Sequence, residues 1–502
     1  MLHPGFFMYK KRKEFYDNYR NSQNKTRYFE NYRMEGVALV FSSNLFLFMF
    51  LPLTLLLYYN PFCKGRKFRN VLLLLASLVF YAWGEPFFVW LMLLSILCGW
   101  QVGLRIEGAE QAGRRKLWLF LGASFHLGML FVFKYLTFAA QQMGILLQED
   151  FSVIQLTLPI GISFFTFQIL SYLLDVYHGK APAQRNVLDM GLYIALFPQL
   201  IAGPIVRYAD IAQEILHRQE TRKDFTDGMI RFSYGLAKKV LVANYMAVIA
   251  MDTRLMAAQE PLSITAAWLG AIAYTFQIYF DFSGYSDMAI GLGQMFGFHF
   301  RENFNYPYIS RSVTEFWRRW HISLSSWFRD YVYIPLGGSR CSRSRLMWNL
   351  FIVWSLTGFW HGANWTFLLW GLIYFVLLVL EKFTGFAERL GVFGHVYTLL
   401  VVIMAWVVFQ FPDLGQSLSY LGMMWGLAGN SLFDGLAAHF LMSGWLVWLM
   451  GVAFSLPLYP WVAKNWQGWQ PVAEPCIAAA LFLLSVIVTV AGNYNPFIYF
   501  NF

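Results

Sequence analysis

Two histidines in strongly apolar surroundings are the side chains best suited to chemistry in this chain. His361 follows Trp360 in a long apolar segment, and His321 lies in the preceding, more polar stretch. A neutral imidazole can take a proton from a hydroxyl and return it to a leaving group near neutral pH, as acyl transfer to an alcohol or phenol requires. The alternative is that each histidine is a packing residue that donates to a backbone carbonyl. His126, also in an apolar run, is interpreted in that second way.

The stretch around His321 predicts an amphipathic helix at the membrane interface. Trp317, His321, Leu324 and Phe328 are spaced to share one helical face, which places His321 on a buried aromatic stripe. Two aspartates, Asp281 and Asp287, flank an FSGYS sequence that predicts a turn. They can cap helices or orient a histidine.

Arginines accumulate between residues 311 and 345. Such a cluster is typical of a cytoplasmic anchoring face, and guanidinium groups would also suit the phosphates of a coenzyme A donor. The candidates for phosphate contact are Arg318, Arg319 and Arg329.

The composition requires that these residues be held in a membrane scaffold. Hydrophobic residues make up 58% of the 502 residues and charged residues only 13%, far below the roughly 25% of a soluble chain. The net charge is +10, and the basic residues cluster beside apolar segments. This placement indicates lipid headgroups rather than nucleic acid as their partner. Four scattered cysteines form no metal-ligand spacing, so no metal site is expected.

The apolar segments predict an all-α, polytopic membrane protein with about eleven transmembrane helices, some of them re-entrant or interfacial. Pro and Gly interrupt Leu158–Gln168 and Phe197–Ile205, and such breaks persist at membrane depth only where protein or a water-filled cavity satisfies the backbone. A central cavity is therefore expected. A transporter would show the same breaks, although no internal repeat is visible.

Twelve apolar runs are candidate spans or parts of spans. The first apolar run is Phe41–Tyr59, and the others are Val71–Trp83 running on through Phe87–Leu104, Leu117–Ala140, Leu156–Tyr177, Val187–Val206, Met229–Met251, Leu262–Phe280, Met288–Phe298, Leu346–Leu380, Val396–Phe411, Leu441–Leu458 and Ile477–Ala491.

Residues 1–33 differ from the rest of the chain in being polar, basic and rich in tyrosine. They lack the short basic region, apolar core and small-residue cleavage site that follow one another in a cleavable signal peptide. One hypothesis is that Met34 is the natural start, and the other is a disordered tail. Residues 34–502 are expected to form one transmembrane domain, with its catalytic core at 274–371.

Five sequence strings resemble the membrane-bound O-acyltransferase family, in the branch that O-acetylates alginate, peptidoglycan and cellulose. They are WRRWHISLSSWFRDYVYIPLGGSR, GFWHGANW, FDFSGYSDMAIGLG, LPIGISFFTFQ and FPQLIAGPI. The resemblance implies a ring of tilted helices around a central tunnel, with His361 as the principal catalytic residue and His321 as its partner.

The resemblance also implies partners and a path for the acyl group. Acetyl would come from a cytoplasmic thioester such as acetyl-CoA, with no bound cofactor, and would cross the bacterial inner membrane toward a polysaccharide. A periplasmic SGNH-type acetyltransferase would complete the transfer. The last six residues, 497–502, resemble the terminal motif of the small subunit in teichoic-acid D-alanylation, which implies that Tyr499 carries acetyl. The alternative for Tyr499 is an aromatic interface anchor.

Overall fold

The chain folds into helices joined by short connections. The computed structural model describes residues 39–62, 64–149, 156–465, 468, 470–491 and 497–498, and these contain no β-strand. The first helices are α1 (Phe46–Tyr58), α2 (Arg66–Gly84), α3 (Phe88–Gly108), α4 (Ala112–Leu147), α5 (Ile162–Tyr177), α6 (Val187–Ala195), α7 (Phe197–Leu200), α8 (Tyr208–His217), α9 (Arg222–Ala257) and α10 (Ile264–Met295).

The second half continues in the same way. Its helices are α11 (Val313–Arg319), α12 (Ile322–Phe328), α13 (Arg343–His361), α14 (Trp365–Thr384), α15 (Phe386–Arg389), α16 (Phe393–Gln410), α17 (Leu414–Met424), α18 (Gly435–Ser443), α19 (Trp445–Ser455), α20 (Leu458–Asn465) and α21 (Gln470–Ala491). The all-α prediction is confirmed.

Six helices of the described part are long and apolar enough to cross a membrane: α3, α4, α9, α14, α16 and α21. The pair α18 and α19, bent by 67°, makes a seventh if it is one broken span. By length and composition the protein is therefore multi-pass, and the described residues contain fewer such helices than the eleven spans expected. Several of the expected spans are shorter or divided in the structure: α1 and α5 are short apolar helices, and residues 187–206 contain two helices separated at Leu196.

The expected spans Leu262–Phe280 and Met288–Phe298 lie largely in one helix. The turn predicted between them at FSGYS is therefore wrong. Helix α10 runs unbroken from Ile264 to Met295, and most of its residues are buried. The glycine in this sequence serves packing instead. A Cβ on Gly284 would lie 2.7 Å from the carbonyl oxygen of Gly235 in α9, and one on Gly291 would lie 2.5 Å from that of Gly228. Small residues let two helix backbones approach this closely in a membrane protein.

Other breaks fall where one continuous span was expected. The predicted span over residues 71–104 is divided between α2 and α3 near Glu85, and the one over 346–380 is divided between α13 and α14 directly after His361. Helix ends leave carbonyl and amide groups that need partners, so each break demands polar side chains nearby.

A buried polar cluster joins α1, α2 and the loop before α9. The carboxylate of Glu220 accepts hydrogen bonds from Tyr58, Arg66 and Arg69 at 2.5, 2.5 and 2.7 Å. Burial raises the pKa of Glu220, but the hydrogen bonds from Arg66 and Tyr58 outweigh burial and lower the pKa to about 2. The ionised carboxylate therefore stabilises this corner of the fold.

We expect this cluster to make stability depend on pH in a defined window. Because the pKa of Glu220 is lowered in the folded state, its contribution is present above its ordinary value of 4.5 and is lost as pH falls toward about 2. Glu220→Gln should lower the melting temperature at pH 7 and flatten its pH dependence between these values. Thermal unfolding in detergent measures this, with the exposed Glu260→Gln as control. Parallel profiles for the wild type and Glu220→Gln would contradict the assignment.

Candidate active site

His361 is the last residue of α13 and lies inside an aromatic cluster. Its ring packs edge-on against Trp360, Trp370 and Phe409, with centroid distances of 5.0, 5.0 and 5.1 Å. The side chain is buried, with 5% of the residue exposed. This surrounding excludes bulk water and restricts the imidazole to a narrow range of orientations.

His321 lies at a break in the chain, which corrects the predicted continuous helix. Its backbone is left-handed, with φ 44° and ψ 54°, and it separates α11 from α12. The predicted stripe is nevertheless buried, since Trp317, His321, Leu324 and Phe328 are each at most 7% exposed. A non-glycine residue in this conformation stores strain of order 1–3 kcal/mol, and such strain concentrates at functional sites.

Asn303 sets the orientation of the His321 ring. The amide oxygen of Asn303 accepts from the backbone N–H and the hydroxyl of Ser323, at 3.1 and 2.9 Å, and Nδ1 of His321 lies 3.2 Å from the same oxygen. Because an amide oxygen can only accept, a hydrogen bond between these two atoms requires the hydrogen on Nδ1, and Nε2 of His321 is then the basic nitrogen. Phe282 of α10 packs edge-on against this ring at 4.7 Å.

Trp360 connects the two histidines. The centroid of its ring lies 5.8 Å from that of His321 and 5.0 Å from that of His361. The structure thus brings together two residues that are widely separated in sequence and sit on different elements.

A cavity of about 90 Å³ opens beside His361. Residues from both of the Pro/Gly-interrupted sequences line it, together with a lysine from α4: Lys134, Leu158, Pro159, Ile160, Gly161, Ile162, Ser163, Phe164, Ile201, Trp360 and His361. Gly161 has φ +76°, and a Cβ there would lie 2.8 Å from the carbonyl oxygen of Leu200. The broken backbone therefore borders a cavity, as the sequence predicted.

The two aspartates of α10 contact basic residues of α9. Asp281 pairs with Lys239 at 2.7 Å, and Asp287 pairs with Lys238 and Arg231 at 2.6 and 2.8 Å. These contacts join the two helices side by side. Both aspartates lie inside α10 rather than beside a turn, and their described partners do not include a histidine.

The interfacial arginines lie outside the cavity wall. Arg319 pairs with Glu315 at 2.9 Å, and Arg329 pairs with Asp330 at 2.6 Å. Arg318 is exposed. Two of the three predicted phosphate contacts are thus partly neutralised by carboxylates of the same chain.

The C-terminal segment is anchored on α10. The N–H of Ile498 donates to Asp281 at 2.6 Å, and the Phe497 ring stacks on Tyr285 with a centroid distance of 4.6 Å. Phe497 also lies 6.1 Å from Phe282, the residue that packs on His321. Tyr499 lies outside the described residues, as do residues 1–33.

Comparison with known proteins shows to which family the chain belongs. Residues 180–421 match the membrane-bound O-acyltransferase family. A Pseudomonas putida protein named probable alginate O-acetylase AlgI is 40% identical over 92% of this chain and the whole of its own length. The chain belongs to the membrane-bound O-acyltransferase family. A Pseudomonas aeruginosa protein of the same name is 47% identical over 75% of this chain and 73% of its own length.

More distant relatives share the acyl-transfer description. A Helicobacter pylori peptidoglycan O-acetyltransferase is 33% identical over 93% of this chain and 98% of its own length. A Bacillus subtilis teichoic acid D-alanyltransferase is 28% identical over 45% of this chain and 59% of its own length. The protein is a membrane-bound O-acyltransferase, and His321 and His361 both lie within the matched residues.

Sequence reasoning missed three residues of the candidate site and of the contacts that support it. Lys134 lines the cavity, Lys239 pairs with Asp281, and Asn303 orients His321. The two lysines carried a usable signal, because each lies within a segment assigned as a membrane span, where ionisable residues are rare and functional. Asn303 carried none, since its role depends on the fold that brings it to His321.

We expect the buried pair of Asp281 and Lys239 between α9 and α10 to stabilise the fold. Asp281→Asn keeps an acceptor for Ile498 but removes the charge facing Lys239, and breaking a buried pair typically destabilises by about 3–5 kcal/mol. Thermal unfolding of the purified protein should show this loss, and Lys239→Gln added to Asp281→Asn should restore part of it. The exposed pair of Lys223 and Asp227, 3.7 Å apart, supplies the control Asp227→Asn. Equal melting temperatures for Asp281→Asn and Asp227→Asn would show that the buried pair is dispensable.

Proposed function

We propose that the protein is an inner-membrane O-acetyltransferase that takes acetyl from cytoplasmic acetyl-CoA and passes it across the membrane for O-acetylation of a polysaccharide. The observation that carries the proposal is the pair of histidines joined through Trp360 beside a cavity, in a chain that belongs to the O-acyltransferase family. A buried imidazole next to space for a small acyl group is what proton transfer during acyl transfer needs.

His361 acts as the general base in this proposal. Its imidazole takes the proton from an acceptor hydroxyl while the hydroxyl oxygen bonds to the thioester carbonyl carbon. The tetrahedral intermediate then expels the thiolate, which takes the proton back from the imidazolium, so that an ester and a free thiol are formed. The aromatic cluster keeps water out, which favours the hydroxyl over hydrolysis.

His321 is the partner of His361 in the tunnel. Asn303 accepts from its Nδ1–H, so Nε2 is the nitrogen of this ring that can take up a proton. The strained backbone at His321 fixes this direction, because the residue has little freedom to turn without losing its bond to Asn303.

Tyr499 is the acyl acceptor within the chain. Phe497 and Ile498, which precede it by two residues and by one, are buried against α10, and Phe497 contacts Phe282, which packs on His321. This anchoring supports a terminus that receives acetyl from the thioester and hands it to an extracytoplasmic partner. Asp281 supports the terminus through Ile498, and Asp287 supports α10 through its basic partners.

The acceptor polymer is assigned by similarity. The relatives at 40% and 47% identity carry the name alginate O-acetylase, which favours alginate or a related exopolysaccharide. Peptidoglycan, named for a relative at 33% identity, and cellulose are the alternatives with the same chemistry. A periplasmic SGNH-type acetyltransferase reads the polymer in either case. Of the predicted phosphate contacts, Arg318 keeps that role for CoA, because Arg319 and Arg329 are already paired.

We expect His361→Ala to abolish transfer while leaving the protein folded. Loss of a general base lowers the rate by about 10²- to 10⁴-fold. The measurement is CoA release from acetyl-CoA by purified protein, together with acetylation of the polymer in cells, at matched protein level. The exposed His439→Ala serves as the control. Full CoA release by His361→Ala would remove His361 from the mechanism, and absence of CoA release by the wild type would favour a transporter.

Tyr499→Phe separates an acyl carrier from an aromatic anchor. The change removes only the phenolic oxygen, so a carrier loses polymer acetylation while an anchor keeps it. We expect loss of polymer acetylation and loss of radiolabelled acetyl bound to the protein after incubation with labelled acetyl-CoA. Tyr494→Phe, in the same terminal segment, is the matched control and should keep both. Wild-type labelling of Tyr499→Phe would show that the acetyl group travels by another route.

A further inference from the structure

Two consecutive side chains of α4 bind the end of the helix that carries His361. The carbonyl oxygen of Phe359 accepts a hydrogen bond from the hydroxyl of Tyr135 at 2.8 Å, and that of Trp360 accepts one from the ammonium of Lys134. The last carbonyls of a helix have no partner within the helix and must find one elsewhere. Here the partners come from a different span.

The local structure of α4 makes this possible. Residues Phe131–Tyr135 form a π-helical turn inside α4. A π-helical turn shifts the side chains that follow it around the helix axis, and such turns recur at functional sites. Lys134 and Tyr135 are the last two residues of this turn, and both reach the end of α13.

Lys134 is held in place by further contacts. Its ammonium donates to the hydroxyl of Ser163 at 3.2 Å and lies 5.7 Å from the centre of the Trp360 ring. It also lines the cavity that His361 lines. A positive charge at the C-terminal end of a helix is favoured by the helix dipole, so the ammonium stabilises the carbonyl end of α13 as well as bonding to it.

We propose that Lys134 is a positioning residue of the acyl-transfer site: with Tyr135 it caps the last turn of α13 and thereby holds the His361 imidazole at the cavity wall. This rests on the proposed function of His361. Gly362, which follows, begins the break before α14, so the chain beyond His361 does not continue the helix. The cap from α4 is what fixes where the helix ends and where the imidazole points.

The proposal predicts a loss of rate rather than of binding. Lys134→Met keeps an unbranched side chain but removes the donor and the charge. A displacement of reacting groups by about 1 Å can lower a rate by about 10²-fold, so kcat should fall by about 10- to 100-fold with KM changed less than threefold. Lys134→Arg, which keeps a donor and a positive charge, should recover most of kcat. Tyr135→Phe should lower kcat by less, since it removes one neutral bond.

The experiment measures kcat and KM for CoA release by the purified full-length variants, with hydrogen exchange of the peptide covering residues 358–364. Loss of the cap should speed amide exchange in Lys134→Met and Tyr135→Phe. The control is Gln142→Met, because Gln142 of α4 accepts from Trp365 at 3.0 Å and so joins α4 to the start of α14 rather than to the end of α13. It should leave rate and exchange unchanged.

Each outcome decides the proposal. If Lys134→Met does not yield folded protein, Tyr135→Phe decides it by the same two measurements. Unchanged exchange with normal kcat would overturn the cap, and a rise in KM that Lys134→Arg fails to correct would instead place Lys134 in contact with substrate. If His361→Ala keeps full activity, the proposed function fails. If His361→Ala is inactive but Lys134→Met is fully active, only the positioning role of Lys134 is contradicted.

Discussion

Backbone hydrogen bonding in apolar surroundings is the constraint on which the structure around this site depends. A membrane protein can break a helix only where other groups satisfy the freed carbonyls and amides. The hydroxyl of Tyr81 donates to Ile160 at 3.0 Å beside one break, and the hydroxyl of Ser77 accepts from the N–H of Phe197 at 3.0 Å beside another. The end of α13 is satisfied in the same manner from α4. The cavity and both histidines lie at such breaks. The residues proposed to carry the chemistry are therefore found where the helices are interrupted.

A second level of organisation is the close contact of α9 with α10. The glycine pairs bring the two backbones together, and the basic residues of α9 then reach the aspartates of α10. Because Asp281 also accepts from Ile498, the contact between these helices extends to the C-terminal segment. Phe282, one residue further along α10, faces His321. One helix thus connects the terminus with the site through adjacent residues.

Several features of the site were predictable from residue type and local sequence. Burial of His361 followed from the apolar run around it, and a cavity followed from prolines and glycines in segments that otherwise read as spans. The turn predicted at FSGYS was wrong because glycine occurs in two structural settings. It favours a turn where the chain reverses, and it permits close packing where another helix backbone approaches, and only the neighbour distinguishes these. His321 shows the reverse case, in which the predicted burial was right and the predicted helix was wrong. Its strain is tolerated because Asn303 and the surrounding rings bind it.

The sequence by itself determined that the protein is helical, spans a membrane, and carries two histidines in motifs typical of O-acyltransferases. The first two follow from composition and from hydrophobicity patterns within a few tens of residues, and the third rests on the resemblance of the motifs to that family. The tertiary structure alone decided that Trp360 joins the histidines, that Asn303 orients the ring of His321, and that Lys134 and Tyr135 bind the end of α13. Each of these contacts joins residues on different elements. Their partners are chosen by how the helices pack around the cavity, and that information is not local to either residue.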